Sequence, residues 1–177
     1  MGIDNSRLKP NSELKAAALA QLKGNWGNPI LACLIYGLLL GGIGAIPYIG
    51  PIVSVVLAGP FTLGLCIYFI RFTRLDIPNL ETIFDGFKNF SSAFLLSLLV
   101  GIFTFLWSLL LIIPGIIAAL NYSQAFYIMT DNPEIGVMDA INRSKEMMQG
   151  HKGKLFLLQL SFIGWAILSV LTLFIGL

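Results

Sequence analysis

Charge is what this sequence is short of. Asp, Glu, Lys and Arg make up only 11% of its 177 residues, against roughly 25% in soluble domains, which leaves too little polar surface to coat a globule in water. The bilayer is the expected solvent. The scarcity is also uneven, for residues 24–70, 89–130 and 155–177 contain no Asp, Glu, Lys, Arg or His at all. An ionisable side chain at membrane depth is the usual mark of proton coupling or ion pumping, and its absence removes most of the support for either. Histidine is almost missing too. His151 stands alone between Gly150 and Lys152, with no carboxylate in an apolar run to orient it, so a hydrolytic triad has nothing to build on. Cysteine is equally sparse. Cys33 and Cys66 each sit inside an apolar run, where they behave as small hydrophobes and suggest neither a disulfide nor, with one histidine, a metal site. No catalytic residue, metal or cofactor is therefore expected. The net charge of +2 is confined to residues 1–23; it gives nucleic acid no foothold and suggests only a weak attraction to anionic membrane lipid.

What the chain does have is long apolar runs separated by three charged blocks, at residues 1–23, 71–88 and 131–154. A helix rises 1.5 Å per residue and the hydrocarbon core is about 30 Å thick, so about 20 residues make one crossing. Residues 29–70 and 91–129 would each be on the order of 60 Å long as single helices, and each must fold back. The first fold-back is written in Ala45-Ile46-Pro47-Tyr48-Ile49-Gly50-Pro51, where Pro47 and Pro51 remove backbone donors and glycine tolerates a turn. The second is expected at Pro114-Gly115 within Ile112-Ile113-Pro114-Gly115-Ile116. There a kink is the alternative to a turn, and length favours the turn. The first block is too long and polar to open a cleaved signal peptide, so the first helix is expected to remain as an anchor.

Basic residues near span ends are retained in the cytoplasm. All eleven lie in the three blocks and none in the two fold-backs, which predicts a plasma-membrane protein with a cytoplasmic N-terminus and an outer C-terminus. The expected fold is an all-α integral membrane protein of about five transmembrane helices in hairpins with cytoplasmic amphipathic helices. As one multipass domain over 1–177 it divides into a cytoplasmic amphipathic N-terminus at 1–28, a hairpin at 29–70, a cytoplasmic segment at 71–90, a hairpin at 91–130, an amphipathic helix at 131–154 and a final span at 155–177.

The blocks share more than charge. Each carries a glycine just before a span, in Leu22-Lys23-Gly24-Asn25-Trp26, Phe84-Asp85-Gly86-Phe87-Lys88 and Met148-Gln149-Gly150-His151-Lys152, spaced by 62 and then 64 residues. The pattern predicts a repeated unit of amphipathic helix, glycine, span, break and span. The first amphipathic helix should place Leu14, Ala18 and Leu22 on one face. The third should start with Asn132 as N-cap and Pro133 at its first position, with an apolar stripe of Val137, Ile141 and Met148. If the unit repeats, the chain lacks a sixth span after Leu177; an odd span with a bare apolar end is the other reading.

These features, with Leu111-Ile112-Ile113-Pro114-Gly115-Ile116, Tyr122-Ser123, Asp131-Asn132-Pro133, Ala140-Ile141, Ser144, Met147-Met148, Gly150 and Phe162-Ile163-Gly164-Trp165 in this order, resemble a family of bacterial multipass membrane proteins, domain of unknown function 975. The likeness extends to Ala17-Ala18 and Leu22-Lys23-Gly24-Asn25-Trp26. It implies a bacterial membrane setting and a further apolar segment beyond Leu177. It implies no activity.

Within the apolar runs one polar cluster stands out: Asn121, Tyr122, Ser123 and Gln124 just past the second break, with Gln159 and Ser161 in the last span. Such amides and hydroxyls usually hydrogen-bond between helices; the functional alternative is a small cavity beside a broken helix. Gly37 and Gly41 form a small-xxx-small face, and Trp26, Trp107 and Trp165 suit interfacial or packing roles. The leading expectation is a non-enzymatic protein that binds membrane lipid or a protein partner through its cytoplasmic amphipathic helices. The alternative is a carrier, without proton coupling, for a small neutral or lipid-like solute near Asn121 and Gln124.

Overall fold

A computed structural model describes residues 10–74 and 78–171, with side chains for all of these but Ile112 and 165–171. Most described residues are helical, with no strand among them. They fall into two compact units, Asn25–Gln149 and a second made of Met1–Gly24 with Gly150–Leu177. Among them three stretches are long and apolar enough to cross a membrane: Gly27–Gly44, Gly50–Thr73 and Leu80–Leu110.

The first helix, α1 (Asn11–Leu22), belongs to the smaller unit. The larger unit begins with α2 (Gly27–Gly44) and α3 (Gly50–Thr73), which pack against each other. The turn between them forms at the Pro47 site. Ile49 N–H donates to the Pro47 carbonyl at 2.8 Å, and Tyr48 takes φ +66°, a left-handed conformation that costs a residue with a β-carbon. Pro51 then lies in the first turn of α3, where its missing N–H would have had no helical partner. Gly50 is buried because the chain doubles back so tightly that a β-carbon there would overlap the Ile43 carbonyl.

Next comes a 3-10 segment, Leu80–Asn89, running directly into α4 (Phe90–Leu110). With three residues per turn, Leu80, Ile83 and Gly86 share one face, and Ile83 and Gly86 are buried on it. Ten residues of 3-10 helix is longer than the usual three or four, and packing explains its persistence. A β-carbon on Gly86 would overlap the Pro60 carbonyl and the backbone of Gly64, one on Gly64 would overlap Ile83, and one on Gly59 would meet the carbonyl of Ala93. Three glycines thus let the backbone of α3 lie against the 3-10 segment and the start of α4. Phe61 fills the space beside this crossing, with its ring 4.9 Å from that of Phe87 at 83°, an edge-to-face pairing.

The second fold-back lies three residues upstream of the expected site. Leu111 is extended, at φ −165° and ψ 148°, and α5 (Ile112–Tyr122) packs back along α4. Pro114 sits in the first turn of α5, where it breaks no helical hydrogen bond, and Gly115 seats against Ser108. The turn, and not the kink, is what forms. The return arm is itself in two pieces, α5 and then α6 (Ala125–Asp131), each far shorter than the about 20 residues a crossing needs.

The amphipathic α7 (Val137–Met147) starts later than the Asn132 cap predicts. Asn132 is instead the extended residue that ends α6, Ile135 N–H donates to its carbonyl to close a turn, and Gly136 precedes the first turn of α7. Its apolar stripe includes buried Ala140, Ile141, Ser144 and Met148, with Val137 half-buried. Two cores result: Ala32, Phe61, Tyr68 and Ile83 join α2, α3 and the 3-10 segment, while Leu63, Leu96, Tyr122, Met129 and Ile141 join α3 to α7.

The smaller unit holds α1 and α8 (Lys152–Leu171). α1 meets α8 through polar groups. Asn11 Nδ2 donates to the Lys154 carbonyl at 3.4 Å, Lys15 Nζ donates to Ser161 Oγ, and the Lys15 ammonium stands 5.1 Å from the centre of the Phe162 ring. Leu14 and Leu19 remain exposed. The expected run beyond 171 lies outside the described residues.

Candidate functional site

The polar cluster at 121–124 proves to be the joint between α5 and α6. The N–H groups at the start of α6 and carbonyls at the end of α5 lack helical partners, and a side chain from α7 supplies one of each. Ser144, fully buried, donates from Oγ to the Asn121 carbonyl at 2.6 Å and accepts the N–H of Gln124 at 3.2 Å. Ser123 turns its hydroxyl back to the Leu120 carbonyl at 2.8 Å. The Gln124 amide reaches Ser123 Oγ at 3.4 Å, and Tyr122 is buried with its ring 6.0 Å from that of Phe103. Asn121 Oδ1 is buried at this joint with no hydrogen-bond partner. Gln159 belongs to the smaller unit, where it is exposed, so the larger unit builds this joint from Asn121, Tyr122, Ser123, Gln124 and Ser144.

A second polar feature gathers at the end of α3. Arg71 lies in the last turn of α3 and Arg74 just past it, where cations offset the negative end of the helix dipole. On the 3-10 segment Asp85 and Lys88 are three apart and so stack on one face. Their Oδ1 and Nζ atoms are 2.7 Å apart, and the other oxygen of Asp85 is 3.5 Å from Arg71 Nη1. Asp131, the last residue of α6, receives Arg74 Nη2 at 2.8 Å. Between these elements opens a cleft of about 270 Å³, lined by apolar Ile67 and Ile70 and by the charged Arg71, Arg74, Asp85, Lys88 and Asp131. Three cations face two carboxylates. Ion pairs this exposed contribute little to stability, in the range of about 0–1 kcal/mol, so holding the fold does not account for concentrating the charges here.

Nothing in the sequence pattern singles out Ser144 as the closing group, and the cleft was not foreseen from it either. For the cleft a signal existed, in the Asp85 to Lys88 spacing opposite the basic end of a long apolar run. For Ser144 none did, since its partners are main-chain atoms. Among the described residues no three His, Cys, Asp or Glu side chains converge as a metal site would require, and His151 is half-buried just before α8.

Fold and site together define an all-helical protein with three membrane-compatible helices and a charged cleft where one of them ends. The chain belongs to the family described as Protein of unknown function (DUF975), whose model matches residues 1–120 and 109–177. No curated protein and no solved structure matches it.

Proposed function

We propose that the chain is a multipass bacterial plasma-membrane protein that catalyses no reaction and works by binding at its cytoplasmic face. The observation that carries this reading is the charged cleft. It concentrates exposed, partly compensated charge at the ends of apolar helices, where a protein surface meets lipid headgroups. The crossings are α2, α3, α4, the joined α5 and α6, and α8. The basic residues at the ends of these segments support a cytoplasmic N-terminus, cleft and α7. Exposed Met138 and Met147 on α7 offer adaptable apolar contacts to lipid or to a partner protein.

Cysteine labelling tests this arrangement. Single cysteines replace Tyr48, Leu111, Asn79 or Gln149 in a background without Cys33 and Cys66. An impermeant reagent applied to intact cells is expected to modify positions 48 and 111 and to spare 79 and 149 until the cells are opened. Modification of 79 or 149 from outside would sink the reading.

A second reading, a carrier for a small neutral solute, draws on one observation, the unpartnered Asn121 Oδ1 at the joint. Uptake of neutral solutes by proteoliposomes, abolished by Asn121→Ala, is its test. Uptake indifferent to Asn121→Ala and Gln124→Ala removes these residues from any transport path.

A further inference from the structure

We propose that the cleft at the end of α3 seats the phosphate of an anionic phospholipid headgroup, between Arg71 and Lys88 with Arg74 at the rim. This rests on the binding role proposed above and names its ligand. The Asp85 carboxylate is shared by two cations, with Lys88 at 2.7 Å and Arg71 at 3.5 Å, so their combined charge is only half neutralised. The Arg74 pair with Asp131 is self-contained. The described lining therefore carries an excess of one positive charge, located on the Arg71 side, and a phosphodiester carries one negative charge. A guanidinium presents five donors in a fork that suits two phosphate oxygens, and a single long contact to Asp85 leaves most of that fork available.

Shape and place select a lipid over a free anion. The apolar lining of Ile67 and Ile70 would be wasted on inorganic phosphate but suits the glycerol carbons next to a headgroup. The cleft opens where α3 and the Leu80–Leu110 stretch, both apolar enough to span, come to their charged ends. Basic pockets between span ends are where anionic headgroups bind. The carboxylates set the limits: Asp85 bridges its two cations, and it also opposes any incoming anion.

The opposing role of Asp85 gives the test two signs. The full chain, purified in a neutral maltoside detergent, is titrated with short-chain phosphatidylglycerol, short-chain phosphatidylcholine and sodium phosphate, and thermal unfolding reports binding. Phosphatidylglycerol is expected to act at concentrations on the order of ten-fold lower than phosphatidylcholine. The pair Arg71→Gln with Lys88→Gln should erase that preference, and Asp85→Asn should strengthen it several-fold. Arg143→Gln, which removes one positive charge at an exposed position of α7, should leave it unchanged. The proposal is overturned if the double variant keeps the preference, if Asp85→Asn weakens binding, or if Arg143→Gln weakens it as much. Sodium phosphate shifting the unfolding midpoint while phosphatidylglycerol does not would overturn the lipid assignment in favour of a free anion. A variant that fails to fold is recognised by its midpoint without lipid, and Asp85→Asn then decides the matter. Labelling of position 79 from outside would defeat the cytoplasmic reading alone and would leave this lipid preference standing.

Discussion

Gly86 in the 3-10 segment stands against Pro60 in α3 so closely that a β-carbon at position 86 would overlap the Pro60 carbonyl oxygen. The atoms in the way are backbone, and backbone at a packed crossing gives little. Gly86→Ala is expected to lower stability by about 3 kcal/mol, at the upper end for overpacking. Gly101→Ala, with open space around it, should be neutral or stabilising by up to about 1 kcal/mol because alanine favours helix. Thermal unfolding of the two variants in detergent separates these outcomes, and equal midpoints would show that the crossing is looser than the backbone positions require.

Removing the Ser144 hydroxyl takes a donor from the Asn121 carbonyl and an acceptor from the Gln124 N–H at one buried point. Ser144→Ala should cost about 2 kcal/mol, since two main-chain groups lose their partner out of water. Ser123→Ala should cost under about 0.5 kcal/mol, because its hydroxyl doubles back on its own helix and takes besides only a long contact from the neighbouring Gln124 amide. If the two variants unfold alike, the α5–α6 joint does not depend on α7.

Tyr48 carries its left-handed backbone on a side chain that is 93% exposed. Tyr48→Gly is expected to raise stability by about 1 kcal/mol by relieving that conformation. A lower midpoint would mean that the ring anchors the turn at an interface strongly enough to outweigh the strain.

Gly24 and Gly150 each stand just before an apolar helix and both adopt left-handed φ, +89° and +78°, with open space where a β-carbon would stand. Alanine at either should cost about 1 kcal/mol, and asparagine about half of that, because it tolerates this region better. Stability measured for the alanine and asparagine pairs checks the ordering. Equal losses would point to a steric neighbour in place of backbone strain.

These glycines show how far the sequence could be read. The spacing of Gly24, Gly86 and Gly150 suggested a repeat, and the first and last of these glycines share a left-handed φ. In the middle copy the residue is kept for a different reason, contact with α3, which a spacing of 62 residues could not reveal because it depends on a residue in another helix. The first fold-back lay where Pro47 and Pro51 put it, since two prolines and a glycine overrule any alternative locally. The second began at Leu111, a residue with no turn signature, because Pro114 fits the first turn of a helix as readily as it breaks one. Asn132 and Pro133 read as a helix start but serve a turn after α6. The cluster at 121–124 was visible as polarity. Its use was not, for the deciding partner, Ser144, sits 20 residues beyond Gln124 and bonds mainly to backbone.

The crossing built on Gly64 and Gly86 also favours an order of assembly. Every member of the core around Phe61, Tyr68 and Ile83 lies between Ala32 and Phe87, so that core can close as soon as Phe87 has left the ribosome. The other core needs Ile141, more than fifty residues later. Contacts between near neighbours along the chain close first because they cost least loop entropy. The α2–α3 hairpin and the 3-10 segment thus offer a finished surface onto which α4 to α7 are laid as synthesis proceeds.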